Sequence, residues 1–519
     1  MSRAAAKVRK WTMLIHRWMG VVFCALFFVW FSSGIVMMYA RFPRVEAEQR
    51  LSRAERLDPS QIRIGPAEAL SALRSSSAPS QVRLAVLDGR PVYRFAFGRR
   101  TAMVFADDGR RFGAASREMA LRTAASWTGL PASQASFDGF ITRDDQWTVY
   151  SSVRPYGPFW QYSWPNGEEV YVSRSTGEVV QDTTRRTRLG AYFGAIPHWL
   201  YFVRLRSNGP LWTQVVIWLS GVGTVVSILG LIAGIWLYSP AKPYRFSDGR
   251  SSIPYRGQKR WHVILGLVFG VFACTWVFSG LLSMGPFSWL SDPDRPNLDR
   301  LLRGDRIHIA AFQAKAPAAA IAEAASKLAV KELEFVSFGG KPYYLAWESP
   351  ANSLLVPMTD GARNALDSRQ IVDAAAQAVS PSSIAAWRVV NQYELYYVDR
   401  EKRMPLPAIY IELNDRSRSA FYIDPRTGRV VESYGSRSRW NRWLYHGLHS
   451  MDLPALYAHR PAWDVVVLAL LSGGVALCVT SLVIAWRRLR CTVSRKPISA
   501  AAALDADISE PIIDQGAPL

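Results

Sequence analysis

Four stretches of the chain, Met19–Ala40, Ser207–Ala241, Trp261–Ser291 and Val465–Trp486, contain no Asp, Glu, Lys or Arg. Each is long enough to supply the roughly 20 apolar residues that cross a hydrocarbon core. One such stretch would suit a buried core helix, whereas four in a chain of 519 residues predict four membrane-spanning helices. The first apolar run is too long for the core of a signal peptide, and no small-x-small cleavage pattern closes it. Between the spans the pattern shortens. Helices are predicted over Gly65–Leu73, Arg117–Trp127, Ala316–Leu328 and Ser368–Val379. Alternation, or aromatic and β-branched enrichment, predicts strands over Val92–Phe97, Trp147–Ser151, Phe159–Trp164, Leu395–Val398, Ile409–Leu413 and Ala420–Ile423. Thr176-Gly177 and Thr427-Gly428 supply hairpin turns. Aromatic, partly charged segments, Tyr192–Leu205 and Trp440–Tyr457, precede the second and fourth spans and suit a membrane interface.

The chain repeats itself. His16-Arg17-Trp18-Met19-Gly20 matches His262-Val263-Ile264-Leu265-Gly266 at an offset of 246 residues, and the same offset carries Phe23 onto Phe269, Trp30 onto Trp276, Ser33 onto Ser279 and Gly34 onto Gly280. An offset of 251 aligns the run from Tyr171 to Val180 with that from Tyr422 to Val431, and carries His198 onto His449, Pro210 onto Pro461 and Trp212 onto Trp463. A helix–soluble domain–helix unit therefore occurs twice.

Charge orients it. Arg3, Lys7, Arg9 and Lys10 precede the first span, the short connection after the second carries six Lys or Arg against Asp248, and Arg487, Arg488 and Arg490 follow the fourth. By the positive-inside tendency both termini are cytoplasmic. The expected organisation is then residues 1–40 as N-terminus and first span, 41–206 as an outer domain with an interfacial segment, and 207–241 as the second span. Residues 242–260 form a cytoplasmic loop and 261–291 the third span. A second outer domain covers 292–464, the fourth span 465–486, and a disordered cytoplasmic tail 487–519. The net charge of +21 is partly this topology signal and gives no reason to invoke nucleic acid; basic outer domains weakly favour anionic ligands. Cys24, Cys274 and Cys478 lie in spans and Cys491 in the tail, so no disulfide framework is available outside. There is no G-x-G-x-x-G, P-loop or H-E-x-x-H, and no acid or base inside a span, which disfavours nucleotide, metalloprotease and ion-transport chemistry.

The His-Arg-Trp-x-Gly opening, the Tyr-Ile-Asp-Pro-x-Thr-Gly-x-Val hairpin from Tyr422 to Val430, and the Leu448-His449 segment before a returning span resemble the PepSY-associated transmembrane family over residues 10–488. The resemblance implies an α-helical membrane protein of the bacterial inner membrane. Its four transmembrane helices would form a duplicated two-helix unit bearing two α+β PepSY-like extracytoplasmic domains. That family includes iron-regulated membrane proteins and siderophore reductases with two b-type haems. The implied activity is electron transfer across the bilayer to a periplasmic ferric siderophore or other ferric chelate, fed by quinol or by a cytosolic reductase.

The histidines fit this expectation. His16 and His262 are repeat-equivalent at the cytoplasmic ends of odd-numbered spans, and His198 and His449 are repeat-equivalent just outside even-numbered ones. Two-fold duplication thus offers each of two non-covalent haem b groups a pair of axial imidazoles, with no C-x-x-C-H for covalent attachment. His446, three residues before His449, competes for the outer site. Arg17 and Arg260 are candidates to pair with haem propionates. Ser33, Gly34, Ser279 and Gly280 are small residues that would let a macrocycle approach the helices. A histidine at a helix end is ordinarily only an interfacial anchor, and small residues in spans ordinarily serve helix packing. The other function class is a non-enzymatic PepSY-type module that binds an envelope partner or regulates a peptidase.

Overall fold

The computed structural model of the protein describes residues 2–493 apart from Ser76, Asp360 and Arg400. Among the described residues four long helices, Arg3–Met37, Gly209–Leu237, Gly257–Leu282 and Arg460–Val493, cover most of the four apolar stretches, and only the fourth contains its stretch whole. Only 22–33% of each helix's most apolar window is buried, so most of its side chains keep part of their surface exposed. In water each such Val, Ile or Leu would forfeit about 1.5–3 kcal/mol of burial, a cost that lipid removes. The third helix stops short of its apolar run because Gly285 adopts φ +58° and Pro286 follows it. The fourth continues through Arg487, Arg488 and Arg490, so the expected disorder does not begin at residue 487; the rest of the expected tail lies outside the described residues. Basic residues in a last turn complement the helix dipole.

The chain divides into two compact units, the described residues of Met1–Ser32, Leu219–Phe278 and Val467–Leu519, and those of Ser33–Trp218 and Ser279–Val466. The first unit is helical apart from a small hairpin of β8 (Tyr244–Phe246) and β9 (Gly249–Ser251).

The second unit carries the sheets. The first repeat supplies β1 (Gln81–Leu87), β2 (Arg90–Phe97) and β3 (Arg100–Phe105), followed by β4 (Ser136–Ile141), β5 (Phe159–Ser163), β6 (Glu169–Ser173) and β7 (Val179–Thr183). The second repeat supplies β10 (Glu332–Phe338), β11 (Lys341–Ser349) and β12 (Asn352–Pro357), followed by β13 (Ile384–Val390), β14 (Ala408–Leu413), β15 (Ala420–Asp424) and β16 (Arg429–Tyr434). β4 to β7 form one antiparallel sheet in chain order, and β13 to β16 another. The two three-stranded meanders merge: β1 pairs antiparallel with β10 to give one sheet ordered β12-β11-β10-β1-β2-β3. The α+β segments of the two repeats are thus joined through a shared sheet, and a single core runs beneath it, with Leu84, Tyr93 and Phe95 packed with Phe335, Tyr344 and Val356. Pro66–Ala72 and Pro317–Ala325, at the predicted helix positions, press Ala69, Ala320 and Ala324 into that core.

Two predicted strands do not form. Around Trp147–Ser151 the Asp145 carboxylate accepts from the backbone N–H groups of Trp147 and Thr148, which holds a turn. Within Leu395–Val398 only an isolated bridge, Glu394 to Tyr397, is present, while Tyr397 is fully buried and donates to the Pro405 carbonyl. In both places the aromatic richness reflects core anchors on loops rather than a pleated ladder. Gly177 and Gly428 take φ +68° and +69° in the predicted hairpins, the left-handed turn geometry that suits glycine.

Candidate functional site

In the first unit His16 and His262 come together, ring centroids 6.3 Å apart with an interplanar angle of 28°. His16 lies on the first membrane helix, and its Nδ1 is 3.1 Å from the carbonyl oxygen of Val226 on the second. A carbonyl can only accept, so Nδ1 carries the proton, and in the neutral ring Nε2 keeps its lone pair. Gly230, one turn beyond Val226, makes the approach possible. A Cβ there would lie 2.5 Å from His16 Cε1.

His262 is held by its repeat-equivalent neighbours. Its Nδ1 is 3.3 Å from Thr480 Oγ1 and 3.2 Å from Ser481 Oγ on the fourth helix. Both hydroxyls donate their one hydrogen to the Leu477 carbonyl, at 2.7 and 2.9 Å, and so meet the imidazole as acceptors. Nδ1 is again the donor and Nε2 the lone-pair nitrogen. Leu477 is the counterpart of Val226, and Ser481 of Gly230, at the 251-residue offset. The two repeats thus fix the same tautomer: the equivalent backbone carbonyl, Val226 or Leu477, engages each ring, and the second repeat adds the hydroxyls of Thr480 and Ser481.

In the second unit His198 and His449 also come together, centroids 6.1 Å apart but with the rings edge-on at 70°. The hydroxyl of Ser33 is 3.1 Å from Nδ1 of His198, and that of Ser279 is 3.0 Å from Nδ1 of His449. Ser33 and Ser279 are repeat-equivalent and nearly or wholly buried. Their smallness suggested room for a ligand; their hydroxyls instead orient the rings. Two further repeat-equivalent pairs place these histidines. Trp212 Nε1 donates to the Trp199 carbonyl at 2.8 Å and Trp463 Nε1 to that of Ser450 at 2.9 Å, each tying the residue after a histidine to a returning helix. Leu200 and Met451, two residues after each histidine, hold left-handed φ values of +54° and +49°. Such conformations cost side-chain-bearing residues about 1–3 kcal/mol and gather where the surroundings enforce a functional geometry.

The pairs are not flanked alike. A π-helical turn, Arg442–Gly447, precedes His449, and within it the nearly inaccessible Arg442 pairs with Asp452 at 3.3 Å. Burial pushes the Asp452 carboxyl above its usual range, against the pull of Arg442. His446 lies exposed beside Tyr445, ring centroids 4.4 Å apart, and it is His449 that meets His198. His308 and His459 are exposed. Arg17 and Arg260 are exposed as well; Arg17 is one position after His16 and Arg260 two before His262, about 100° and 200° round their helices at 3.6 residues per turn.

The sequence showed the four histidines but not the groups that orient them. The serines were legible as repeat-equivalents of one another. The Val226 carbonyl and Gly230 were not, because a backbone acceptor and a close approach leave no side-chain signature; Thr480 and Ser481 were hidden because they have no polar counterparts in the first repeat.

No curated protein matches the chain. The model of the PepSY-associated TM region matches it twice, over residues 13–284 and again over residues 259–502, once for each repeat. Matched across nearly its whole length, with four helices long and apolar enough to span a bilayer, the chain is a multi-pass membrane protein belonging to the PepSY-associated transmembrane family.

Proposed function

We propose that this is an inner-membrane electron-transfer protein that holds two b-type haems, one between His16 and His262 and one between His198 and His449, and reduces a ferric chelate outside the membrane. The observation that carries this reading is that each repeat-related pair brings two imidazoles to about 6 Å between centroids with Nδ1 of each already engaged. Two imidazoles sharing one metal at roughly 2 Å per bond have ring centroids about 6 Å apart. The separations of 6.3 and 6.1 Å fit that donor set.

The number of ligands fits as well. Among the described residues no three His, Cys, Asp or Glu side chains gather. A bare ion such as zinc takes about four protein ligands in a structural site. An iron that already has four macrocycle nitrogens needs only two. Bound there, bis-imidazole haem supplies reversible one-electron chemistry with a potential set by its axial ligands and surroundings. The protein's part is to fix the rings. The Val226 carbonyl, Thr480, Ser481, Ser33 and Ser279 hold each Nδ1 and leave Nε2 to face a metal, the outer contacts that orient metal-binding histidines generally. Arg17 and Arg260, exposed on the same helices as His16 and His262, are the candidates to pair with the propionates. Quinol in the bilayer or a cytosolic reductase is the source of electrons.

The test is the absorption spectrum of detergent-purified protein from haem-replete cells. A Soret band and sharp b-type bands on dithionite reduction are expected, and acid acetone should extract the pigment. A colourless protein would instead favour a PepSY-type binding module. Gly230→Ala is expected to push the His16 ring from its place, since the new methyl group would overlap Cε1, and to lower haem content by about one equivalent of two. Retention of both haems in that variant would show that His16 is not held against the second helix.

The orientation has its own check. Reporters fused after Arg250 are expected to read as cytoplasmic, and those near Gly109 and Gly361 as periplasmic, as the Lys and Arg of the short connections require. A cytoplasmic reading at Gly109 would reverse the direction assigned to the electron path.

A further inference from the structure

The shared sheet has an axis. In the β1–β10 ladder Arg83 stands opposite Glu334, its own counterpart at the 251-residue offset, so the pseudo-two-fold axis of the duplicated outer region passes through this pair. Identical residues there would have placed like charges face to face; the repeats have diverged to opposite ones.

Beside the axis lies a polar cavity of about 450 Å³, with Arg83, Arg303 and Arg429 set against Asp299 and Glu334 in its lining. The balance of these five side chains is one positive charge. Glu334, 2% exposed, takes both of its oxygens to Arg429 Nη2, at 2.8 and 2.6 Å, with Arg303 Nη2 at 3.5 Å and Trp347 Nε1 at 3.3 Å. Asp299 is partly occupied elsewhere, accepting from the Val430 N–H at 3.0 Å, and stays 3.9 Å from Arg303. The arginines are left over-supplied with donors. The Nε atoms of Arg303 and Arg429 are buried and have no hydrogen-bond partner. Burial first, and then the adjacent Arg429, depress the Arg303 guanidinium below its ordinary value. Two guanidiniums crowded against one buried carboxylate make a lining that an added anion relieves.

We propose that this cavity on the pseudo-two-fold axis binds a small polycarboxylate of about the size of citrate, free or carrying ferric iron. A cation is disfavoured by the charge balance. Carboxylates suit the site better than a phosphate dianion because they deliver single charges at separate points, one per guanidinium fork, among two resident acids. Whether the anion carries iron rests on the reductase reading above; anion binding itself does not.

The experiment is isothermal titration of detergent-purified full-length protein with citrate, ferric citrate and inorganic phosphate. One-to-one binding of citrate is expected, tighter than phosphate, and weakened about tenfold by Arg303→Gln or Arg429→Gln, the worth of one charge-assisted hydrogen bond. Glu334→Gln separates binding from architecture. If the cluster only ties the repeats together, this variant loses stability and gains nothing; if it is a site, removing the resident carboxylate tightens citrate. No saturable binding at millimolar concentration, affinity indifferent to both arginine variants, or a preference for phosphate overturns the proposal. Citrate and ferric citrate bound with no accompanying oxidation of reduced protein would uphold the anion site while counting against the reductase.

Discussion

His262→Ala protein is expected to retain about one of two haem equivalents, with the Soret absorbance per polypeptide roughly halved, because an axial imidazole supplies an iron bond that no neighbour replaces. The local chemistry makes this loss specific. Thr480 and Ser481, the side chains that hold His262, carry only hydroxyls, so neither offers a nitrogen in place of the lost imidazole. His449→Ala is expected to remove the other equivalent, and the double variant both. His446→Ala serves as the control: its ring is exposed and lies against Tyr445, so two equivalents should remain. Ser279→Ala is milder. It deletes the group that orients His449, a loss that in metal sites lowers affinity about 10–100-fold. Full haem content in both His262→Ala and His449→Ala would remove these residues from the ligand set.

Much of this was legible in the sequence, and its limits have physical causes. The spans were visible because lipid demands an unbroken apolar run, and the duplication because spacing survives divergence. Four histidines at paired offsets then located both candidate sites. What was hidden depends on contacts between residues far apart in the chain. The strand β1 was not predicted, and its ladder with β10 exists only because two repeats meet about an axis; no local pattern specifies a partner strand 251 residues away. Trp147–Ser151 and Leu395–Val398 read as strands because aromatic residues serve equally in a ladder and in a buried turn. Arg17 and Arg260 were read as propionate partners from adjacency alone, which fixes a position along a helix but not where a long side chain reaches. The histidines survive such errors because their case rests on symmetry rather than on local conformation.

Symmetry also frames the outcome with the widest reach. Dithionite-reduced protein in proteoliposomes of known orientation is expected to be reoxidised by a membrane-impermeant ferric siderophore presented at the face that the charge pattern predicts to be periplasmic. The chelate gives up its iron more readily once reduced, so the reaction should be drawn forward when a ferrous trap is present. His198 and His449 belong to the segments that the charge pattern places outside, and both are held from buried serines, by tryptophan anchors and by left-handed turns at Leu200 and Met451. That repeated scaffolding keeps two rings at a fixed separation on a protein surface where loops would otherwise wander. Loss of either ring by His198→Ala or His449→Ala should therefore abolish reoxidation by the external chelate, while reduction by dithionite of the His16–His262 site persists. His446→Ala should leave the rate unchanged. Reoxidation that proceeds equally well with chelate confined to the opposite face, or that survives loss of both outer histidines, would mean that electrons do not leave through this pair.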